Sequence, residues 1–302
     1  MPHEPTPIQW GAEPLWEQLA PLLPGLTVEV VPRLASTNGM LLERAHGREL
    51  AADAGAGDAR VRRSVESAAF GRRAIDLKPC LLVAEHQSAG RGRQGRVWQS
   101  SEGGASLTFS LGLPLAAVDW SGLSLAVGVT LCEALDPGAA GARIGLKWPN
   151  DLWLLDRPGH SEHRSGRKLG GILIETVSAG AQRLVVIGVG LNVSAFAPEA
   201  LQTGFATLDE LDPLITAPSA LARVALPLVQ ALQQFERDGF KAFAARFDAR
   251  DLLRDRAVQT TSAEAPEGIA RGVSAQGALQ VETPGGSITS ISSGEVSVRP
   301  LA

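Results

Sequence analysis

From Gly90 to Trp98 the chain reads GRGRQGRVW, directly after the apolar run CLLVA. The glycines satisfy the G-x-G-x-x-G spacing of a dinucleotide-binding turn. Such a turn needs its third glycine to open a helix, with an acidic residue about twenty positions further on. Here RVWQSSEGGASLTFSL follows and reads as loop and strand, and Asp119 lies beyond LGLPLAAV rather than at the end of a following strand. Arg91, Arg93 and Arg96 would also be superfluous where backbone amides suffice. A single-strand nucleic-acid binder would need stacked aromatics and overall basicity, and a merely solvated turn would not end on Trp98. What remains is a glycine loop that gathers guanidinium forks onto a compact, highly charged ligand and orders around it. Such a ligand is a nucleoside triphosphate or an acyl phosphate.

Four further clusters carry polar groups at strand ends. KWPNDL, Lys147 to Leu152, puts a lysine, an aromatic, a proline-fixed turn and an Asn-Asp pair after a strand. Pro149 fixes φ there and sets Asn150 and Asp151 in one geometry. In GRKLGGIL, Lys168 stands at the mouth of an apolar strand before Gly170 and Gly171, which permit close ligand approach. Asn192 closes the otherwise apolar GVGLNV, and STN, Ser36 to Asn38, sits between a strand and a helix. His3, His46, His86, His160 and His163 show no metal-ligand spacing, so no protein metal site is expected.

The elements that must position these groups follow from periodicity. LTVEVVPRL, CLLVAEHQ, ASLTFSLGLPL, KLGGILIETV and QRLVVIGVGLNV read as strands, and ARIGLKWPNDLWLL begins as one. Helices are expected after STN, with Ser36 or Thr37 as N-cap, over SGLSLAVGVTLCEAL, and from 219 to 252. Residues 1–24 read as a short leader with one possible helix, and 51–78 as a partly flexible insertion. DRPGHSEHRSGR reads as a polar hairpin tip or loop. From about 254 onward, short strands separated by Gly and Pro predict a small β-barrel appended to a mixed body.

The chain has 302 residues, a formal net charge of −4 and two cysteines, Cys80 and Cys132, both inside apolar runs. This suits a cytoplasmic protein with reduced, buried thiols. The acidic balance argues against a protein whose main task is coating nucleic acid. No secretory leader or membrane span is expected, because the N-terminus lacks a basic start and apolar core and no apolar run approaches ~20 residues.

In this order, STN at 36, GRGRQGRVW at 90, KWPND at 147, KLGGIL at 168 and GVGLN at 188 resemble the biotin protein ligase family, and the closing GEVSVRP is similar to the end of its C-terminal barrel. The resemblance implies an α+β fold. A mixed sheet with helices, of the class II synthetase-like biotin-lipoate ligase type, would occupy 25–253, and an SH3-like barrel 254–302. It implies that biotin attacks the α-phosphate of ATP, with Mg²⁺ assisting, and that a lysine of a carrier then takes the acyl group. The carrier expected is the biotin carboxyl carrier protein of acetyl-CoA carboxylase. Lys168, Arg93, Arg96 and Asp151 would be catalytic. Ser36, Thr37, Asn38, Gln87, Gly90, Arg91, Lys168 and Gly171 would bind biotin. Arg93, Arg96, Trp98, Lys147, Asn150 and Asn192 would hold ATP and the adenylate. Only about 35 residues precede Ser36, too few for the winged helix some members carry, so no specific DNA partner is expected. A monomer or weak homodimer is expected, since the family can pair through a sheet edge. The rival readings are a lipoate-protein ligase, which shares the fold, and a non-catalytic nucleotide or nucleic-acid module.

Overall fold

The structure, a computed structural model, describes residues 8–46, 77–117, 119–138, 141–156, 166–179, 182–196, 204–292 and 297–300. Most of the insertions expected at 51–78 and 156–167 lie outside the described residues, as do His3, His160 and His163.

Helix α1 (Ala12–Leu19) leads into β1 (Thr27–Leu34) and α2 (Thr37–Ala45). Then come β2 (Cys80–Gln87), the short β3 (Gly90–Arg91) and β4 (Val97–Trp98), β5 (Ser106–Pro114) and α3 (Leu123–Leu135). The body finishes with β6 (Ile144–Lys147), β7 (Asp151–Leu155), β8 (Gly166–Ala179), β9 (Gln182–Asn192), α4 (Ala217–Asp238) and α5 (Ala244–Asp248). Five strands follow: β10 (Ala257–Thr260), β11 (Glu267–Val273), β12 (Leu279–Glu282), β13 (Ile288–Ile291) and β14 (Val298–Pro300).

Seven strands form one mixed sheet in the order β1-β2-β5-β9-β8-β7-β6, with β1 parallel to β2 and every other pair antiparallel. Alternation along β2 shows how both faces are buried. Leu81 and Val83 join the large core beneath α1, α3 and α4, whereas Cys80 and Leu82 join a smaller core beneath α2. Trp10, Leu15, Leu19 and Leu23, all within the expected leader, belong to the large core.

The helix expected from 219 to 252 is divided. Thr216 caps α4 by accepting the Ser219 N–H at 3.3 Å, but the helix stops at Asp238 because Gly239 turns left-handed at φ 64°. A 3-10 turn over Phe240–Ala242 then leads into α5. Phe235, Phe240, Phe243 and Phe247 are all buried, so the apolar spacing runs through the break and hides it from a periodicity reading.

The five C-terminal strands form a second sheet in the order β13-β12-β11-β10-β14. Its Val258, Leu279, Val281 and Val298 share the large core with the body. The Trp148 indole N–H donates to the Gly277 carbonyl at 3.0 Å, and Gly277 packs so tightly that a Cβ there would lie 2.8 Å from Gly122 Cα.

Candidate active site

One face of β9 builds the floor of a cavity of about 730 Å³. Gly188, Gly190 and Asn192 lie two apart, so all three point the same way. A Cβ on Gly188 would lie 2.3 Å from Asn38 Oδ1, and one on Gly190 would lie 2.4 Å from a Trp98 indole carbon. The two glycines thus admit the Asn38 amide and the Trp98 ring against the strand. Asn192, only 5% exposed, donates to the carbonyls of Lys168 and Ala206 at 3.3 and 3.1 Å and fixes the backbone that carries Lys168.

Lys168 and Gly171 both line the cavity although they are three residues apart, which regular alternation would put on opposite faces. The β7–β8 register explains this: Leu152 pairs with Gly170 but Trp153 pairs with Lys168, leaving a bulge. The bulge turns Lys168 into the cavity while Leu169 is buried in the core. Lys168 Nζ donates to Asp151 Oδ1 at 2.8 Å, with side chains 29% and 16% exposed, so the pair is shielded from bulk water. Asp151 pairs across the β6–β7 turn with Lys147, whose Nζ lies 5.4 Å from the Trp153 ring centroid. Burial pushes the Lys147 ammonium below its ordinary range; Asp151 opposes that shift, and the cations Lys168, Arg96 and Arg299 add to it.

The β6–β7 turn is the KWPND segment, a tight hairpin rather than one running strand, with a cis Trp148–Pro149 peptide. Asn150 locks it to β8, its amide donating to the Ile172 carbonyl at 2.8 Å and its carbonyl accepting from Ile172 N–H at 3.0 Å. The Arg93 guanidinium reaches Asn150 Oδ1 at 3.4 Å. Burial lowers the Arg93 pKa, the Asp151 carboxylate opposes this, and Arg96 reinforces it.

GRGRQGRVW is a two-stranded hairpin, β3 against β4, with Gly90 opposite Trp98 and Arg91 opposite Val97. Its tip is a 3-10 turn over Arg93–Gly95, so no helix opens at the third glycine and the dinucleotide reading fails on geometry. Gly90 does not line the cavity; a Cβ there would lie 2.4 Å from the Trp98 carbonyl, so this glycine serves the hairpin's close approach. Gly170 likewise packs against a backbone carbonyl, 2.5 Å from where its Cβ would lie, and offers a ligand nothing.

At the other end of the cavity, Ser36 caps α2 by accepting the Gly39 N–H at 3.3 Å. Gln87 Oε1 accepts from Thr37 N–H at 2.7 Å and Thr37 Oγ1 at 3.1 Å. Ser110 Oγ lies 2.6 Å from both Thr37 Oγ1 and Asn38 Oδ1. The Asn38 amide donates to the Leu173 carbonyl at 3.1 Å and to Glu175 at 2.8 Å, and Glu175 also receives Arg91 at 3.1 Å. Asn38 therefore spends its amide on the protein, tying α2 to β8.

Apart from Gly90 and Gly170, the site residues expected from sequence all line this cavity. Five lay beyond that reading: Ser110, Glu175, Trp153, and Ser297 and Arg299 from the barrel. None belongs to a motif that sets it apart from its neighbours, so only the fold reveals it. The Trp98 and Trp153 indole N–H groups are buried and without hydrogen-bond partners among the described residues, leaving two donors at the cavity. Among the described residues, Arg91, Arg93, Arg96, Lys147, Lys168 and Arg299 line it against one carboxylate, Asp151. This is a cationic chamber suited to two anions that would otherwise repel each other.

Residues 74–192 match the Biotin/lipoate A/B protein ligase family and residues 256–299 match the Biotin protein ligase C terminal domain. The chain is 32% identical over 292 residues to the Bifunctional ligase/repressor BirA of Escherichia coli, covering 94% of this chain and 77% of that protein. It is 37% identical over 233 residues to the Biotin--[acetyl-CoA-carboxylase] ligase of Mycobacterium tuberculosis, covering 73% of this chain and 79% of that one. Among solved structures it is similar to the biotin protein ligase from Aquifex aeolicus in complex with biotin and ATP. That similarity has a TM-score of 0.64 at 25% identity, over 91% of this chain and 99% of that chain. With both domains matched and a relative 32% identical over 94% of this chain, the chain belongs to the biotin/lipoate A/B protein ligase family.

Proposed function

We propose that this chain is an ATP-dependent biotin protein ligase. The observation that carries the reading is the gathering, around one cavity of about 730 Å³, of five motifs spread from residue 36 to residue 192, with six cations facing one carboxylate. A biotin carboxylate oxygen attacks the α-phosphorus of ATP, the bond to the bridging oxygen breaks, and pyrophosphate leaves with biotinyl-5′-adenylate formed. An amine of a carrier lysine then attacks the acyl carbon, expelling AMP and giving an amide once the ammonium proton is lost.

The residues fit these needs. Lys168 and Arg93 lower the repulsion between carboxylate and phosphate and stabilise charge as it develops. Asp151 holds the Lys168 ammonium by its 2.8 Å bond and is the one carboxylate lining the cavity among the described residues. Lys147 and Arg299 stand ready for the outer phosphates, with Arg96, Trp98, Asn150 and Asn192 on the adenylate. The Ser36–Thr37–Gln87 cluster and the groups around Arg91 and Gly171 suit the small polar ring of biotin. Among the described residues no cluster of three or more His, Cys, Asp or Glu could hold a metal ion. Mg²⁺, which favours substrate phosphates plus one or two carboxylates, would enter on the triphosphate beside Asp151. The name of the Mycobacterium tuberculosis relative supports the carrier domain of acetyl-CoA carboxylase as acceptor.

The test supplies ATP with biotin or with lipoic acid and measures pyrophosphate, then adds a biotin carrier domain and probes for biotinyl-lysine with streptavidin. Biotin-dependent pyrophosphate and a labelled carrier are expected. Release with lipoic acid alone would transfer the chain to the lipoate branch, and no release with either would defeat the enzyme reading.

A further inference from the structure

The barrel meets the tip of the arginine hairpin in a closed triangle of hydrogen bonds. Arg96 Nη2 donates to Ser297 Oγ at 2.9 Å and to Gln94 Oε1 at 3.2 Å, while the Ser297 hydroxyl donates to the same Gln94 oxygen at 2.9 Å. Each of the three side chains is thereby bonded to the other two. Ser297 is itself pinned within the barrel: its N–H donates to Thr261 Oγ1 at 2.9 Å and its carbonyl accepts from Thr261 N–H at 3.1 Å.

Gln94 is held at φ 56° and ψ 36°, in the left-handed region that a residue with a Cβ seldom occupies. Such a conformation persists where the surroundings over-determine it. The triangle contributes to that determination, and Gln94, Arg96 and Ser297 all line the cavity.

We propose that Ser297, acting through Gln94 and Arg96, is a positioning residue that clasps the hairpin to the barrel. The clasp fixes the Arg96 guanidinium over the cavity and keeps the acyl-adenylate in place until the acceptor amine arrives. This gives the barrel a part in retaining the intermediate, and it rests on the ligase reading above.

The experiment uses the full chain, labelled biotin, ATP and pyrophosphatase to load the adenylate, then follows its escape during a chase with unlabelled biotin. Ser297→Ala is expected to release adenylate roughly 10-fold faster, the effect of losing a hydrogen bond to a charged group. Its KM for biotin and its melting temperature should stay at the parent values. Ser297→Thr, which keeps the hydroxyl, is expected to retain adenylate as the parent does. Gln94→Gly removes the shared acceptor but relaxes the left-handed backbone, so leakage should rise while the melting temperature does not fall. A Ser297→Ala protein that leaks no faster than the parent overturns the clasp, as does a Thr variant as leaky as the Ala variant. Leakage in Gln94→Gly that appears only with a lower melting temperature also overturns it. A parent protein that releases no pyrophosphate from ATP and biotin defeats the ligase reading and the clasp's role together, a result readily told from the others.

Discussion

Lys168 shows how a single side chain gains chemistry from its surroundings. A lysine at a strand mouth is ordinarily a solvated charge, yet here a bulge turns it inward and Asp151 holds its Nζ at 2.8 Å. Lys168→Ala should therefore cost both half-reactions, adenylation by at least ~10²-fold, as removal of a preorganised charge does. Single-turnover pyrophosphate release measures this, and near-parental rates would remove Lys168 from the chemistry. Gly190 is the complementary case, because its contribution is absence. A Cβ there would lie 2.4 Å from the Trp98 indole, a rigid ring with no easy retreat. Gly190→Ala should displace Trp98, lower stability by about 1–3 kcal/mol through overpacking, and raise the Kd for biotinyl-adenylate. Calorimetric titration and thermal melting report the two effects. At this scale the sequence was informative where residue types were rare together, as in KWPND and GRGRQGRVW. It was silent on Glu175, which receives both Arg91 and Asn38, because a lone Glu in a strand resembles any outward-facing residue.

The elements were legible where apolar runs and turn residues agreed, and the buried central strands β2, β5 and β9 fall on the runs that predicted them. Two features escaped. The bulge in β8 abuts Gly170 and Gly171, which read as places of close ligand approach and not as a bulge signal, and the end of α4 at Gly239 is masked by phenylalanines that keep helical spacing on both sides. The segment after α5 also holds a titratable group that no motif suggested. Asp251 forms a bridge with Leu146 of β6, and its Oδ2 is buried without a partner among the described residues. Of the charges bearing on it, Asp248 adds to the upward shift and Arg254 opposes it, and the two form an ion pair with each other at 3.1 Å. Burial raises its pKa to about 6. The fold thus binds this proton more tightly than the unfolded chain does, so stability is highest below about pH 4 for this group and falls as pH rises towards 6. Asp251→Asn should remove that loss, raising stability at pH 8 by at most about 3 kcal/mol and changing little at pH 4. Melting curves at both pH values test it. An equal gain at the two would attribute the effect to packing instead.

The whole molecule sets an acidic exterior, with a net charge of −4, around a cationic chamber. That contrast follows from where the motifs converge, which composition could exclude from nucleic-acid coating but could not locate. The barrel completes the chamber: Ser297, Arg299 and Pro300 form part of its wall, and Trp148 in the floor turn donates to Gly277 in the barrel. Body and barrel share one hydrophobic cluster, from Trp148 and Leu125 to Val258 and Leu279. Two compact units with a common core are expected to unfold together. A denaturant titration followed by far-UV circular dichroism, with hydrogen exchange of barrel and sheet amides in parallel, should give one transition. Trp148→Phe keeps an aromatic ring in the core but leaves the Gly277 carbonyl unpaired, a loss of about 1–3 kcal/mol before any cavity cost. The midpoints of barrel and sheet should fall together in that variant. A barrel that melts ahead of the sheet, in the parent or in Trp148→Phe, would make it an independent unit, and the chamber wall would then open without the body unfolding.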